Sequence, residues 1–144
     1  MEVEKGVMMV AYKQSGRKKR YLVLQRKKNW EGWETPKGHL EEDDYRYTVE
    51  LELKEEAGIE SDQVREVEEL DEEVSWTYER GGEEFRKDYR VFIVEVDEDV
   101  IPDVSENPCD EHETALFLSY RDAESLITYE NNRKILEKAR DHIN

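Results

Sequence analysis

The chain has 144 residues, of which 36% are apolar, 10% aromatic and 42% charged. That length sets a single domain with room for a real core, and the aromatic content with its periodic apolar runs excludes a disordered chain. The 22 basic and 38 acidic residues leave a net charge of −16, which repels phosphate backbones and anionic lipid and so sets aside a general nucleic-acid or membrane-surface binder. A solvated Glu/Lys surface accounts for most of that charge, and the same charge also suits a protein that gathers divalent cations.

The single cysteine, Cys109, rules out a disulfide framework or a cysteine-rich zinc site within one chain and fits a reducing cytoplasm. No stretch approaches the apolar length of a membrane span, and Met1-Glu2-Val3-Glu4-Lys5 is no signal peptide. A cytoplasmic protein, monomeric or homodimeric, is expected.

In chain order, residues 3–12 read as a strand, 14–19 as a polar turn and 20–26 as a second strand. Unbroken apolar runs in both strands predict burial on two faces. Residues 28–37, with Trp30, Gly32, Trp33 and Pro36, read as a loop. The pattern over 43–57 is helical and stops at Gly58, a C-terminal cap. More than one strand near 64–80, a turn at Gly81-Gly82 and a long strand near 87–97 follow, and Gly81-Gly82 between strand-like runs is a hairpin signature. An acidic loop over 98–112 leads to a short strand at 114–119, and the chain is helical from Tyr120 to its end. Strands outnumber helices, so the expected fold class is α/β (α+β), a mixed sheet between helices.

On a helix over 43–57, Val49, Leu53 and Ala57 form one buried stripe, while Glu52, Glu55 and Glu56 share a neighbouring one. Like charges stacked at this spacing repel by several tenths of a kcal/mol per pair. A hard divalent cation offsets that, because magnesium takes oxygen ligands from one or two carboxylates together with substrate phosphates. Upstream, Thr35-Pro36-Lys37-Gly38-His39 supplies a glycine loop running into the carboxylate helix, a layout that holds a polyphosphate beside its metal.

The segment resembles the Nudix box, Gly-x5-Glu-x7-Arg-Glu-U-x-Glu-Glu-x-Gly-U, with U a bulky apolar residue. Counted back from Gly58, Glu52, Leu53, Glu55, Glu56 and Ile59 fall in register, and Gly38 matches the opening glycine one residue short; Asp43 stands for the first glutamate and Leu51 for the arginine. The resemblance implies the Nudix fold over residues 1–144 and hydrolysis of a nucleoside diphosphate linked to another moiety. In that family the arginine braces the loop and orients a glutamate, so with Leu51 any bracing must come from elsewhere.

Three further features are similar to the diadenosine tetraphosphate hydrolase branch of the family: Trp33-Glu34-Thr35-Pro36-Lys37-Gly38-His39, then Glu111-His112-Glu113 ahead of a short strand, and Tyr129 with Tyr78 where that branch stacks an adenine. The resemblance implies magnesium, with manganese as a substitute, held by Glu52, Glu55, Glu56 and Glu111, these four also being catalytic. It implies a small nucleotide substrate bound by Lys37, Gly38, His39, Tyr78 and Tyr129, and release of a nucleoside triphosphate and a monophosphate. By residue type alone Tyr78 and Tyr129 serve equally as core or surface aromatics, and His112 as a structural histidine. Two alternatives stay open: a Nudix hydrolase of another nucleoside diphosphate derivative, and a nucleotide-binding sensor that no longer hydrolyses.

Overall fold

A computed structural model describes residues 1–105 and 107–144. The elements in chain order are β1 (Glu2–Ser15), β2 (Lys18–Arg26), β3 (Gly32–Glu34), β4 (Lys37–His39), α1 (Tyr45–Ala57), β5 (Val64–Arg80), β6 (Glu83–Val96), β7 (His112–Leu118), α2 (Tyr120–Leu126) and α3 (Glu130–Ile143). The strands form one mixed seven-stranded sheet with the path β3-β2-β1-β6-β5; β4 pairs with β1 and β7 with β2. The β1–β6 pair is parallel and the others are antiparallel.

β1 runs through the centre, and Val7 to Ala11 are all buried, because helices cover both faces of the sheet. On one face Val49, Leu53 and Ala57 of α1 meet Val7, Met9 and Ala11 of β1 with Leu22 and Leu24 of β2. On the other, Ala123 of α2 and Ile135, Leu136 and Ala139 of α3 meet Met8, Val10, Val23 and Val91. Truncating a side chain as enclosed as Leu53 costs about 2–5 kcal/mol in such a core. The expected mixed sheet between helices is the fold observed.

Four expectations on the elements need correction. The stretch over 28–37 is not a plain loop. Its Gly32–Glu34 part pairs with the end of β2, and Lys37–His39, running just past it, pairs with β1. The helix begins at 45 rather than 43, since Glu42 and Asp43 turn through positive φ (53° and 50°) and Asp44 caps the helix by accepting from the Tyr47 N–H at 3.0 Å. The segment over 64–80 is one long strand with a register shift between Glu69 and Glu73. The C-terminal helix is broken at 127–129. There Trp33 donates its N–H to Thr128 Oγ1 (2.9 Å) and accepts from the Thr128 N–H (3.1 Å), pulling the chain off the helical path. Arg133 caps the freed Ile127 carbonyl at 2.6 Å.

At the other end of α1, Gly58 adopts φ 66° and its N–H returns to the Leu53 and Lys54 carbonyls. A side chain there would be strained and would press on the Asp103 backbone at 2.9 Å, so this stop requires glycine.

Candidate active site

Pairing of Val7 with Gly38 and Met8 with Lys37 fixes the Lys37-Gly38-His39 segment along β1. The following turn sends the chain into α1, whose carboxylates then face that segment. The Lys37 N–H donates to Glu56 Oε1 at 3.3 Å, and the Glu52 side chain lies directly on the Gly38 backbone. Between them opens a cleft of about 400 Å³ lined by Lys37, Gly38, His39, Glu52, Glu55, Glu56 and Glu111. Glu111 arrives from the connection between β6 and β7, far away in sequence. The structure therefore brings together every expected metal and phosphate residue.

The carboxyls crowd one another. Burial, together with the charges of Glu55, Glu111 and Glu41, pushes Glu52 up to about 7, against a lowering by its hydrogen bond with Glu56. Glu56 is raised well above the carboxylate range, first by burial and then by Glu34 and Glu52. An oxygen-only donor set under this repulsion fits a hard divalent cation, which would relieve the crowding. Cations line the rest of the cleft: Arg26, Lys37 and Lys87. Burial and then Lys37 lower the Lys87 pKa, and its ammonium sits 5.4–5.9 Å from the rings of Trp76, Tyr78 and Tyr89.

Beneath the cleft lies a buried network around Glu34, a residue outside the expected site set, in which His112 takes the structural part open to it by residue type. His112 Nε2 is 2.7 Å from Glu34 Oε2 and 3.7 Å from Glu56 Oε2. Arg26 Nη1 reaches Glu34 at 3.2 Å and Glu111 at 3.4 Å, and Lys37 Nζ reaches Glu34 at 3.5 Å. Burial works to raise the Glu34 pKa, but the hydrogen bond from His112 and the charges of Lys37 and Arg26 outweigh it and hold the carboxyl below its ordinary value. Among the described residues, Glu34, Glu56 and His112 bring ligand-type atoms within 4.8 Å of one another. That trio could hold a metal, yet three protein cations or donors already serve Glu34. Arg26 ties Glu34 to Glu111 on the floor of a site whose box carries Leu51 in place of arginine. Only the position of Glu34, next to Trp33 in the motif, hinted at this role.

The aromatic residues divide. Tyr129 lines an adjoining cleft of about 440 Å³ together with Trp30 and Trp76, and Trp30 and Lys37 border both clefts. The Trp30 and Tyr129 rings meet edge to face at 5.0 Å. Tyr78 lies outside both clefts: its hydroxyl donates to Glu4 Oε1 at 2.8 Å and its ring stacks on Phe85. Trp76 stands two residues earlier on β5, on the same face by the period of a strand, and lines the cleft beside Tyr129.

A family model described as the NUDIX domain matches residues 4–139. No curated protein matches the chain. Among solved structures, a C. elegans Ap4A hydrolase binary complex is 23% identical, with 97% of each chain covered and a TM-score of 0.72. E. coli dihydroneopterin triphosphate pyrophosphohydrolase is 20% identical over 96% of this chain and 97% of that one, with a TM-score of 0.74. The NUDIX domain of Shewanella oneidensis NrtR, complexed with ADP ribose, is 13% identical over 100% of this chain and 90% of that one, with a TM-score of 0.77. At these identities the likeness establishes the fold.

Proposed function

The chain belongs to the Nudix family of hydrolases, and from that premise we propose that it cleaves bis(5′-nucleosyl) tetraphosphates, releasing a nucleoside triphosphate and a monophosphate. The observation that carries this is the single cleft in which Glu52, Glu55, Glu56 and Glu111 face Lys37 and Lys87, with an aromatic-walled slot beside it. Glu52, Glu55, Glu56 and Glu111 would hold magnesium, or manganese in its place, and the cation supplies charge neutralisation at phosphate and an acidified water.

The chain's own groups do the rest. Lys37 and Lys87 meet phosphate oxygens by charge, and His39 does so by hydrogen bonding. With no side chain, Gly38 leaves room for the Glu52 carboxyl against its backbone at the edge of the cleft. Glu111, about a third exposed and lining the cleft, would take a proton from the attacking water. Tyr129 and Trp76 offer π-faces to a base, and such stacking is worth roughly 1–3 kcal/mol per base. No covalent intermediate is required.

A second reading, a nucleotide-binding sensor without turnover, draws on Leu51. A panel of phosphoanhydrides incubated with magnesium and read by product mass separates the two. Release of triphosphate and monophosphate from a dinucleoside tetraphosphate supports the hydrolase, whereas tight binding with no turnover of any substrate supports the sensor.

A further inference from the structure

The pairing of β2 with β7 runs from Tyr21↔Leu118 to Gln25↔Thr114 and then slips, so that Arg26 faces His112. Ala115 and Phe117 lie in the core beneath α1. Unbroken alternation would turn Glu113 to that face next. The slip makes Glu113 the extra residue, leaves it exposed, and turns His112 inward, where it is 1% exposed. A bulge of this kind re-aims a side chain at the cost of a disrupted ladder. On the opposite edge of β2, Leu24↔Glu34 pairing brings Glu34 to the same face. Two strands flanking β2 thus deliver one buried imidazole and one buried carboxylate to the same point, directly beneath Glu56. The contacts run from Arg26 and Lys37 through Glu34 and His112 to Glu56 Oε2, while Glu56 Oε1 receives the Lys37 N–H.

We propose that Glu34 and His112 are positioning residues that fix the Glu56 carboxylate, and that the bulge at Glu113 serves to aim His112 at it. This rests on the proposed function in one respect, that Glu56 is a metal-binding carboxylate. Glu56 is 4% exposed, so the direction of its carboxylate is set chiefly by the fixed donors around it. Both side chains are enclosed, 0% and 2% exposed; His112 borders neither cleft, and Glu34 only backs the slot that holds Tyr129.

The test compares His112→Leu, His112→Gln and Glu34→Gln with the wild-type protein by manganese titration followed by electron paramagnetic resonance, by kcat and KM, and by thermal melting. Gln can place an amide N–H near the position of Nε2; Leu cannot. The expected result is a fall of about 10–100-fold in kcat for His112→Leu and Glu34→Gln, with KM nearly unchanged and manganese bound roughly tenfold more weakly. His112→Gln recovers much of both, in proteins that remain folded at the assay temperature. A loss that follows the unfolded fraction, with Gln no better than Leu, overturns the proposal. So does the disappearance of one whole manganese equivalent in both His112 variants, which would make the trio a metal site in its own right. If the wild-type protein turns over no substrate, the proposed function fails, and the manganese affinities alone decide the positioning role. Should Glu34→Gln fail to fold, the two His112 variants carry the comparison.

Discussion

The backbone of Gly38 lies so close to the Glu52 side chain that a methyl group on Gly38 would overlap its carboxyl. Strand β4 and helix α1 are locked at this point, and the pairing of Val7 with Gly38 leaves the strand nowhere to retreat. Gly38→Ala must therefore displace Glu52. A misplacement of about 1 Å at a reacting centre can cost about 100-fold in rate. Steady-state kinetics of Gly38→Ala should show a loss of that order in kcat, and wild-type turnover would refute the role given to this contact.

Glu56 separates function from stability. The residue is 4% exposed and its carboxyl is pressed by Glu34 and Glu52. Glu56→Gln removes a crowded charge while keeping shape, so metal-free melting should hold or rise. Magnesium-dependent turnover should fall by roughly 100-fold or more. Parallel melting curves and rate measurements check both halves, and retained activity would remove Glu56 from the machinery.

The raised pKa of Glu52 makes metal-free stability depend on pH. The carboxyl titrates near 4.5 when unfolded and at about 7 in the folded chain. The folded state then binds more protons through that window, so this contribution is complete below 4.5 and lost as pH rises through 7. With chelator present, the wild-type protein should melt lower at about pH 8 than at about pH 5, and Glu52→Gln should flatten that slope. Magnesium should restore melting mainly at the higher pH, because it binds the ionised carboxylates. An equal slope in wild type and variant would contradict the assignment.

The base slot distinguishes Trp76 from Tyr78. Only Trp76 lines the cleft that holds Tyr129. Trp76→Ala and Tyr129→Ala should raise KM for a dinucleoside tetraphosphate by roughly fivefold to a hundredfold, the worth of one stacked base. Tyr78→Ala should leave KM within a small factor of wild type. A KM effect at Tyr78 equal to that at Trp76 would place the slot wrongly.

The central strands were readable because burial on both faces writes an uninterrupted apolar run, as at Val7–Ala11. Helix α1 was readable because Val49, Leu53, Ala57 and Gly58 mark its stripe and its stop, and the same 3.6-residue period exposed Glu52, Glu55 and Glu56 as neighbours. Strands of three residues, β3 and β4, are too short to show any period. The break between α2 and α3 depends on a tertiary bond from Trp33 to Thr128, which no local pattern records. Glu34 and His112 are 78 positions apart, and a bulge decides which face His112 takes. Strict alternation would have favoured Glu113. Tyr78 was named from the resemblance alone; Trp76 shares its strand face, and only packing against the neighbouring strands shows which of the two borders a cavity.

Turnover of a dinucleoside tetraphosphate in oxygen-18 water, with and without magnesium, tests the central claim most directly. The account predicts a triphosphate and a monophosphate carrying one labelled oxygen between them, formed with magnesium and suppressed by chelator. Substrate left intact by folded, magnesium-loaded protein, or the same products in the presence of chelator, would contradict it.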